Sequence, residues 1–270
     1  MFMMKPKAIF FDIDGTLVSF KTHSIPASAK TAINRLREMG IKVFISTGRA
    51  FCDINNLEDI EFDGYISANG AYCVDSKGKI IAQHRLSKES LDRLAVYMEE
   101  KPFPCEFMTD KGNFINCVND FVLTISQLVD LPIPPVKPVL EIIENDVFQL
   151  GAFVDVEEET ELLTRVLTDC VAGRWHPVFA DITVKNCSKA TGMEEFMKYF
   201  GIEKERTMAF GDGGNDISML KHAAIGVAMG NANDEVKAAA DYVTDSVDDD
   251  GIFNALKYFN IQYDIPTQFC

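Results

Sequence analysis

Residues 7–17, KAIFFDIDGTL, are the most informative stretch of this 270-residue chain. The apolar run is short and ends in acids, which is typical of a strand buried on both faces of a sheet. Asp12 and Asp14 follow the predicted strand directly, and Gly15 allows the backbone to turn sharply there. Carboxylates crowded at a sheet edge repel one another, so the motif predicts a bound cation. Acids that only cap a turn are the alternative for this motif alone.

Outward from this stretch, strands and helices alternate. A helix is predicted between Pro26, which suits a first helical position, and Gly40, which suits a helix end. Residues 43–45 and 65–67 are predicted as buried strands, and polar residues follow each of them. This alternation predicts a doubly wound α/β fold with a parallel sheet, whose ligands bind at the carboxyl ends of the strands.

The pattern changes in the middle of the chain. Residues 71–86 predict a hairpin, after which strands joined by tight turns mix with helices, including a helix predicted at 157–170. The α/β alternation then resumes. This organisation predicts a parallel-sheet core in two parts with an inserted α+β cap domain between them, at residues 1–83, 84–184 and 185–270.

A second acidic cluster, GDGGND at residues 211–216, follows a strand predicted at 207–210. Its glycines free backbone N–H groups, and Asp212 and Asp216 add carboxylate oxygens, the ligands that Mg²⁺ prefers. On its own, the cluster also fits a simple turn into a helix with Asp216 as a favourable charge at the helix N-terminus.

Two further features are ambiguous when each is taken singly. STGR at residues 46–49 places a hydroxyl and backbone N–H groups after a strand, where they can hold a phosphate oxygen or simply cap a turn. Lys189 follows Ser188, a predicted N-cap, and the helix dipole disfavours a cation at that position. Either Lys189 has a separate role or it points to water.

The order of these four features, DIDGT, STGR, a lysine and GDGGND, resembles the haloacid dehalogenase superfamily of aspartyl phosphotransferases. SANG at 67–70 and ITVKNCSKATG at 182–192 are similar to its Cof-type branch of sugar phosphatases, class IIB, which carries an α+β cap after the third core strand. The resemblance covers the whole chain. One departure is Cys187, where the branch often has glycine, and it concerns the wall of the site rather than its catalytic residues.

The resemblance implies a Mg²⁺-dependent phosphatase that forms an aspartyl phosphate. Asp12 is expected to be the nucleophile, and Asp14 the general acid and then the general base. Asn215 is expected to orient Asp212 or Lys189. The implied residues are Asp12, Asp14, Thr47 and Lys189 for catalysis, Gly48, Arg49, Asn69 and Asn215 for substrate and phosphate binding, and Asp12, the Asp14 carbonyl, Asp212 and Asp216 for the metal.

Composition limits the partners. The chain has 26 Lys and Arg against 41 Asp and Glu, a net charge of −15, so it repels nucleic acids and anionic membranes. No apolar stretch is long enough to predict a transmembrane helix. The seven scattered cysteines, without a CxxC pair, predict reduced thiols and a cytoplasmic location. The expected partner is a small phosphorylated metabolite, and the expected state is a monomer or small homo-oligomer.

Two other functions stay open at this stage. A phosphomutase has a similar core and cap but returns the phosphoryl group to a sugar. A signalling receiver also phosphorylates an aspartate in an acidic Mg²⁺ pocket, although receivers are shorter and lack the DxDGT arrangement. The insert is expected to set specificity, with Trp175, His176 and Asp181 near its return to the core. For Trp175 the interpretations are stacking on a sugar face or anchoring the core of the cap. For His176 they are catalysis or a surface or hydrogen-bonded position, and the latter is favoured because the four motifs already supply an acid and base.

Overall fold

The computed structural model describes residues 5–55, 57–129 and 131–261, except for the side chain of Trp175. In chain order, its strands are β1 (Ala8–Phe11), β2 (Lys42–Ser46), β3 (Gly64–Ser67), β4 (Tyr72–Asp75), β5 (Ile80–Gln83), β6 (Cys105–Thr109), β7 (Gly112–Ile115), β8 (Val147–Ala152), β9 (Cys170–His176), β10 (Phe179–Val184), β11 (Thr207–Gly211), β12 (Ile225–Ala228) and β13 (Tyr242–Val243). Its helices are α1 (Ala27–Glu38), α2 (Lys88–Glu100), α3 (Asp120–Val129), α4 (Val139–Ile142), α5 (Val156–Glu161), α6 (Lys189–Phe200), α7 (Ile217–His222), α8 (Asp234–Ala239) and α9 (Gly251–Tyr258).

The larger sheet has the strand order β13-β12-β11-β1-β2-β3-β4-β5. The pairs from β13 to β3 are parallel, and β4 and β5 extend the sheet as an antiparallel hairpin. The first strand of the chain therefore lies in the middle of the sheet, with β11 and β2 on either side. The predicted α/β fold with a mainly parallel sheet is confirmed.

Strand β1 is buried on both faces, as its unbroken apolar sequence predicted. Ile9 and Phe11 belong to the apolar cluster that also contains Ile33 of α1. Phe10 points to the opposite face and belongs to the cluster that contains Phe196 of α6. Each large apolar side chain buried in this way contributes about 1.5–3 kcal/mol to folding. Helices on both faces thus hold the acidic end of β1 in a fixed position.

The smaller sheet is antiparallel throughout and has the order β7-β6-β8-β10-β9. Helix α2 covers one of its faces, where Leu94 packs in a cluster with Phe107, Leu150 and Ile182 of successive strands. All of its strands lie inside the predicted insert, residues 84–184, although the boundaries of that insert stay a prediction. Its other face contacts the larger sheet through Gln149 of β8, which bonds to Gly48 and Asn69.

The helix predicted at 157–170 is wrong at its C-terminal end. Helix α5 continues as a π-helical turn over Leu162–Val166, and Cys170 already begins β9. Cys170 pairs with Val184 of β10, so strand pairing outweighs the local helical pattern of the sequence.

Two further findings concern membrane-spanning helices and cysteines among the described residues. Among them, no helix combines the length and the apolar composition that crossing a bilayer requires. The described cysteines, at positions 52, 73, 105, 117, 170 and 187, are free thiols, and Cys270 lies outside the described residues.

Candidate active site

The carboxyl ends of four adjacent parallel strands, β11, β1, β2 and β3, meet at one edge of the larger sheet. Asp12 follows β1, Thr47 follows β2, Asn69 lies just after β3, and Asp212 follows β11. Motifs that are far apart in the sequence therefore share one crevice, at the position where open α/β sheets bind their ligands.

Lys189 brings a buried cation to this edge. Its Nζ donates hydrogen bonds of 2.6 Å to Asp12 Oδ1 and of 2.6 Å to Asp216 Oδ1. Burial by itself lowers the pKa of Lys189, but Asp12 and Asp216 raise it above its ordinary value. Ser188 caps α6 by accepting a hydrogen bond from the Thr191 N–H, which confirms the predicted N-cap. Two charge-assisted hydrogen bonds offset the unfavourable position of a lysine at a helix start.

Asp12, Asp212 and Asp216 form a compact carboxylate cluster, in which one oxygen from each lies within 4.8 Å of the others. Burial, followed by repulsion from Asp216, raises the pKa of Asp12 well above its ordinary value and that of Asp212 to about 7. Lys189 does not balance three carboxylates, so the ionised cluster carries excess negative charge. Oxygen donors with excess negative charge suit a hard divalent cation, and these residues can hold a metal ion.

Two glycines make room for this cluster. Gly15 has a left-handed φ of +82°, and a Cβ there would lie 2.2 Å from Asp212 Oδ2. A Cβ at Gly211 would lie 2.5 Å from the Asp216 side chain. Because no other residue fits at such distances, the glycines of both acidic motifs are needed for the carboxylates to converge.

Two side chains that were not predicted from the sequence hold Asp212 in place. Thr16 Oγ1 donates a 2.9 Å hydrogen bond to Asp212 Oδ1. Asn231 Nδ2 donates to Asp212 Oδ2 at 3.1 Å and to the Gly15 carbonyl at 2.9 Å. No motif marks Asn231, but it lies just after β12, the next strand of the same edge, and that position is a signal that could have identified it.

The Asp14 carboxylate is not part of this three-carboxylate cluster and pairs with Arg49. Arg49 Nε donates to Asp14 Oδ2 at 2.7 Å, and Arg49 Nη2 donates to Asp14 Oδ1 at 2.6 Å. Arg49 Nη1 also donates to the Asp53 carbonyl at 3.3 Å. The side chain of Asp14 remains 33% exposed, so the bidentate pair fixes it at the open side of the crevice. This ion pair was not predicted from the sequence.

The loops that follow β2 and β3 support each other. The Asn69 N–H donates to the Thr47 carbonyl at 3.0 Å, and the Ala68 N–H donates to the Arg49 carbonyl at 2.9 Å. Asn69 has a left-handed φ of +52°, which asparagine tolerates better than most residues. Thr47 is buried, and its Oγ1 accepts a hydrogen bond from the Arg49 N–H at 3.1 Å. The Thr47 hydroxyl is therefore held next to the strand that carries Asp12.

Asn215 has a different partner from the one expected. Its Nδ2 donates a 2.9 Å hydrogen bond to Asn69 Oδ1. Among the described residues, Asp212 accepts side-chain hydrogen bonds from Thr16 and Asn231, and Lys189 donates to Asp12 and Asp216. The expectation that Asn215 orients Asp212 or Lys189 is therefore corrected. Gly48 lies beneath this amide pair, since a Cβ at Gly48 would be 3.2 Å from Asn69 Nδ2.

Gln149 of β8 joins the smaller sheet to this edge and was not predicted from the sequence. Its buried side chain donates to the Gly48 carbonyl at 3.1 Å and to Asp181 Oδ1 at 2.9 Å. It accepts a hydrogen bond from Asn69 Nδ2 at 3.0 Å. Asp181, which was expected near the substrate side, therefore does reach the crevice.

The other two residues considered in the insert remain unassigned. His176 Nδ1 accepts a hydrogen bond from the Val178 N–H at 3.4 Å within its own turn. The Trp175 side chain lies outside the described part of the chain, so both interpretations of Trp175 stay predictions.

Known proteins resemble this chain over nearly its whole length. The sequence model of the haloacid dehalogenase-like hydrolases matches residues 9–256. YkrA of Bacillus subtilis (strain 168) is 34% identical over 256 residues, which cover 94% of this chain and 98% of YkrA. The 5-amino-6-(5-phospho-D-ribitylamino)uracil phosphatase YcsE of the same organism is 28% identical over 261 residues, 94% of this chain and 95% of YcsE.

Solved structures extend the similarity to the fold. BT4131, a sugar phosphatase of HAD subclass IIB, is 45% identical with a TM-score of 0.87, over 94% of this chain and 99% of BT4131. BT1666 from Bacteroides thetaiotaomicron, a phosphatase of the same superfamily, is 39% identical with a TM-score of 0.88, over 95% of this chain and 96% of BT1666. The chain therefore belongs to the haloacid dehalogenase-like hydrolases and is a phosphatase of that family, as its four motifs indicated.

Proposed function

We propose that this phosphatase hydrolyses phosphate monoesters of small metabolites, sugar phosphates above all, with Asp12 as the nucleophile. The observation that carries the proposal is the environment of Asp12, which is buried at the end of the central strand and bonded to Lys189. Asp212 and Asp216 lie beside it and suit a cation. A local cation and a buried lysine provide the attraction for phosphate that an acidic protein surface lacks.

In the first half of the reaction, an Asp12 carboxylate oxygen forms a bond to phosphorus, and the bond from phosphorus to the leaving oxygen breaks. Asp14 gives a proton to the leaving oxygen, because a sugar alkoxide is a poor leaving group. The alcohol departs and the phosphoryl group stays on Asp12. Arg49 holds the Asp14 carboxylate at the open side of the crevice, and this ion pair must open before Asp14 carries the proton that it donates.

In the second half, water releases the phosphate. Asp14 takes a proton from a water molecule, whose oxygen forms a bond to phosphorus while the bond from phosphorus to Asp12 breaks. Inorganic phosphate departs, Asp12 is a carboxylate again, and Asp14 has regained its proton. The protons therefore balance over one cycle.

The non-bridging oxygens of the phosphoryl group need donors, because negative charge spreads over them in the transition state. We assign this role to the Thr47 hydroxyl, the Gly48 N–H and Lys189. Thr47 follows the strand next to β1, and Lys189 already contacts Asp12, so both lie beside the nucleophile. Arg49 and Asn69 are then available for the leaving-group side.

Mg²⁺ is the proposed metal, held by Asp12, the Asp14 carbonyl, Asp212 and Asp216. When bound, it supplies the positive charge that offsets repulsion between a carboxylate nucleophile and a phosphate. Oxygen-only donors favour a hard cation such as Mg²⁺. Thr16 positions Asp212 for this role by its hydrogen bond.

The choice of sugar phosphates rests on BT4131, which is a sugar phosphatase, and on the presence of Asp14, which suits alkyl esters. We further propose that residues 84–184 act as a cap over the site. Gln149 supports this role because it bonds to Gly48 and Asn69 of the larger sheet. The groups beside Asp12 bind phosphate alone, so the cap is expected to choose among leaving groups.

The test is phosphate release from hexose, pentose and triose phosphates and from nucleotides, with and without Mg²⁺ after treatment with a chelator. Wild type is compared with Asp12→Asn and with Asp92→Asn, which removes an exposed carboxylate on α2. We expect metal-dependent release that falls at least about 10⁴-fold in Asp12→Asn and is unchanged in Asp92→Asn.

Each contrary outcome has its own meaning. No release from any ester by folded protein would overturn the proposal. A sugar bisphosphate that accumulates would favour the phosphomutase, and a single turnover that stops at phosphorylated Asp12 would favour a regulatory protein.

A further inference from the structure

The face of the smaller sheet that looks toward the crevice carries two carboxyl groups on separate strands. Glu106 of β6 and Asp181 of β10 both stand opposite Gly151 of β8, so their side chains share that face. Gln149, two residues before Gly151, is on the same face and reaches the Gly48 carbonyl. The lack of a side chain at Gly151 lets the Phe179 ring and Glu106 approach the strand, since a Cβ there would lie 3.0 Å from Phe179 Cζ and 3.4 Å from Glu106 Cβ.

This face lies at the side of the crevice where Asp14 and Arg49 meet. Asp181 Oδ2 accepts a 3.5 Å hydrogen bond from Asn69 Nδ2. Glu106 lies close enough to Asp53 for their charges to interact, and Asp53 is held next to Arg49 by its carbonyl. In the proposed reaction Asp14 protonates the leaving group of an ester bound at Asp12, so the leaving group extends toward this face.

On and beside this face, the side chains offer more hydrogen-bond acceptors than donors. Within the described part of the chain, no residue donates a hydrogen bond to the Glu106 carboxylate, and no lysine or arginine forms an ion pair with Glu106 or Asp181. The Oδ1 of Asn113 is buried without a donor, while its Nδ2 bonds to Asp53. An orphaned buried acceptor costs free energy unless a ligand satisfies it.

Burial without a cation raises the pKa values of both carboxyl groups. Burial, followed by repulsion from Asp53 and Asp181, raises the pKa of Glu106 to about 8. Burial raises the pKa of Asp181 to about 7, even though the Asn69 hydrogen bond and Lys189 oppose the shift. Lys189 is itself shared by Asp12 and Asp216, so these two carboxyl groups lack a cation of their own.

We propose, building on the phosphatase function above, that Glu106 and Asp181 are specificity-determining residues that recognise donor groups on the leaving group, a protonated amine most strongly. An ammonium group next to these carboxyls supplies the missing cation, which favours their ionised form. It also supplies the donor that the Glu106 carboxylate lacks among the described residues. Neutral sugar hydroxyls supply donors alone. A leaving group with a carboxylate or a second phosphate adds negative charge beside Asp53 and finds no cation there.

The test compares glucosamine 6-phosphate with glucose 6-phosphate, which differ only at C2, where an amine replaces a hydroxyl. A third ester, 6-phosphogluconate, is an open-chain acid that carries a carboxylate at C1. Wild type, Glu106→Gln and Asp181→Asn are measured with saturating Mg²⁺, below the pKa of the sugar amine. Glu99→Gln, which removes an exposed carboxylate from α2, is the matched control. The readout is the ratio of kcat/KM between two substrates on one preparation, which does not depend on the fraction of active enzyme.

In wild type we expect the amino sugar to be preferred over glucose 6-phosphate by about tenfold, the effect of one charge-assisted hydrogen bond. 6-Phosphogluconate is expected to be the poorest of the three. Glu106→Gln and Asp181→Asn should each remove most of the amine preference, and Glu99→Gln should keep it.

Two results would overturn the inference while leaving the phosphatase intact: equal kcat/KM for the amino and neutral sugars in wild type, or a ratio that Glu106→Gln and Asp181→Asn leave unchanged. Failure of the phosphatase proposal looks different, because none of the three esters then releases phosphate.

Discussion

Two regions face each other across the crevice, and both are rich in carboxyl groups. At the edge of the larger sheet, Asp12 and Asp216 share the buried Lys189, and with Asp212 they suit a divalent cation. On the facing smaller sheet, Glu106 and Asp181 have no ion pair with any lysine or arginine among the described residues. The same chemical group is compensated on one side and uncompensated on the other.

This difference fits two tasks. A reaction at phosphorus needs positive charge in place before an anionic ester arrives, because carboxylates and phosphate repel each other. Recognition of a leaving group needs the reverse, acceptors that stay unsatisfied until the substrate supplies donors. Substitutions at the edge of the larger sheet should therefore lower turnover and stability, whereas substitutions on the smaller sheet should change the choice of substrate.

The largest effect is expected when the buried cation Lys189 is removed. Lys189→Met should lower activity about 10³-fold, because one donor to the transition state and one partner of Asp12 are lost together. It should also lower the free energy of unfolding by about 3–5 kcal/mol without Mg²⁺, since Asp12 and Asp216 are left without compensation. Urea unfolding and phosphate release measure the two effects.

Lys198→Met, on the exposed side of the same helix, is the control for that change. Added Mg²⁺ should restore part of the stability of Lys189→Met, because it supplies charge to the same carboxylates. Equal unfolding free energies for the two variants would show that Lys189 does not balance the cluster.

A second substitution tests whether Gly15 shapes the carboxylate cluster that suits a metal. Gly15 and Gly78 have almost the same left-handed φ, +82° and +78°, but only Gly15 has a close neighbour, Asp212, in the direction of a Cβ. Alanine at either position should cost about 1–2 kcal/mol in backbone strain. Gly15→Ala should in addition weaken Mg²⁺ activation at least about tenfold, because Asp212 must move.

The measurement is the Mg²⁺ concentration that gives half-maximal activity, beside the unfolding free energy. Gly78→Ala should change stability alone. If both variants keep the wild-type Mg²⁺ requirement, the close packing of Gly15 against Asp212 is not what shapes the metal site.

The smallest expected effect is the pH dependence of stability that the uncompensated side produces. Glu106 and Asp181 have pKa values raised to about 8 and about 7 in the folded protein, above their ordinary values of 4.5 and 3.8. Between the ordinary pKa of each group and its raised pKa in the folded protein, the folded state binds more protons than the unfolded state. The free energy of unfolding therefore falls as pH rises through this range. The stabilising effect of protonation is fully present near pH 4 and lost above about pH 8.

Glu106→Gln should flatten this dependence and, near pH 9, be more stable than wild type by about 1–2 kcal/mol, a figure reduced because Glu106 is partly open to the crevice. Saturating Mg²⁺ keeps the charge of the Asp12 cluster constant during the titration. Thermal unfolding from pH 5 to pH 9 measures the pH dependence of stability, with Glu99→Gln as the control. A wild-type slope in Glu106→Gln would mean that its carboxyl group is already solvated.

Much of the fold and of the phosphate side of the site could be predicted from local sequence. The apolar run of residues 8–11 predicted the buried β1, and the acids after it had to emerge at a strand end. Asp12, Thr47, Asn69 and Asp212 each follow a strand directly. Parallel strands end at a common edge, so the convergence of these residues is a consequence of sequence order and sheet geometry.

The residues of the proposed leaving-group side are brought together only by the tertiary structure. Glu106, Gln149 and Asp181 are single residues on three strands, and only the register of antiparallel pairing places them on one face. Tertiary structure also decides the contact of Asn231 with Asp212 at the sheet edge. It likewise places Cys170 in a strand paired with β10, although the local sequence pattern is helical. Local sequence predicts turns and helix caps, because their hydrogen bonds join residues that are close in the chain. Contacts between distant segments depend on strand order and register, which no short motif encodes.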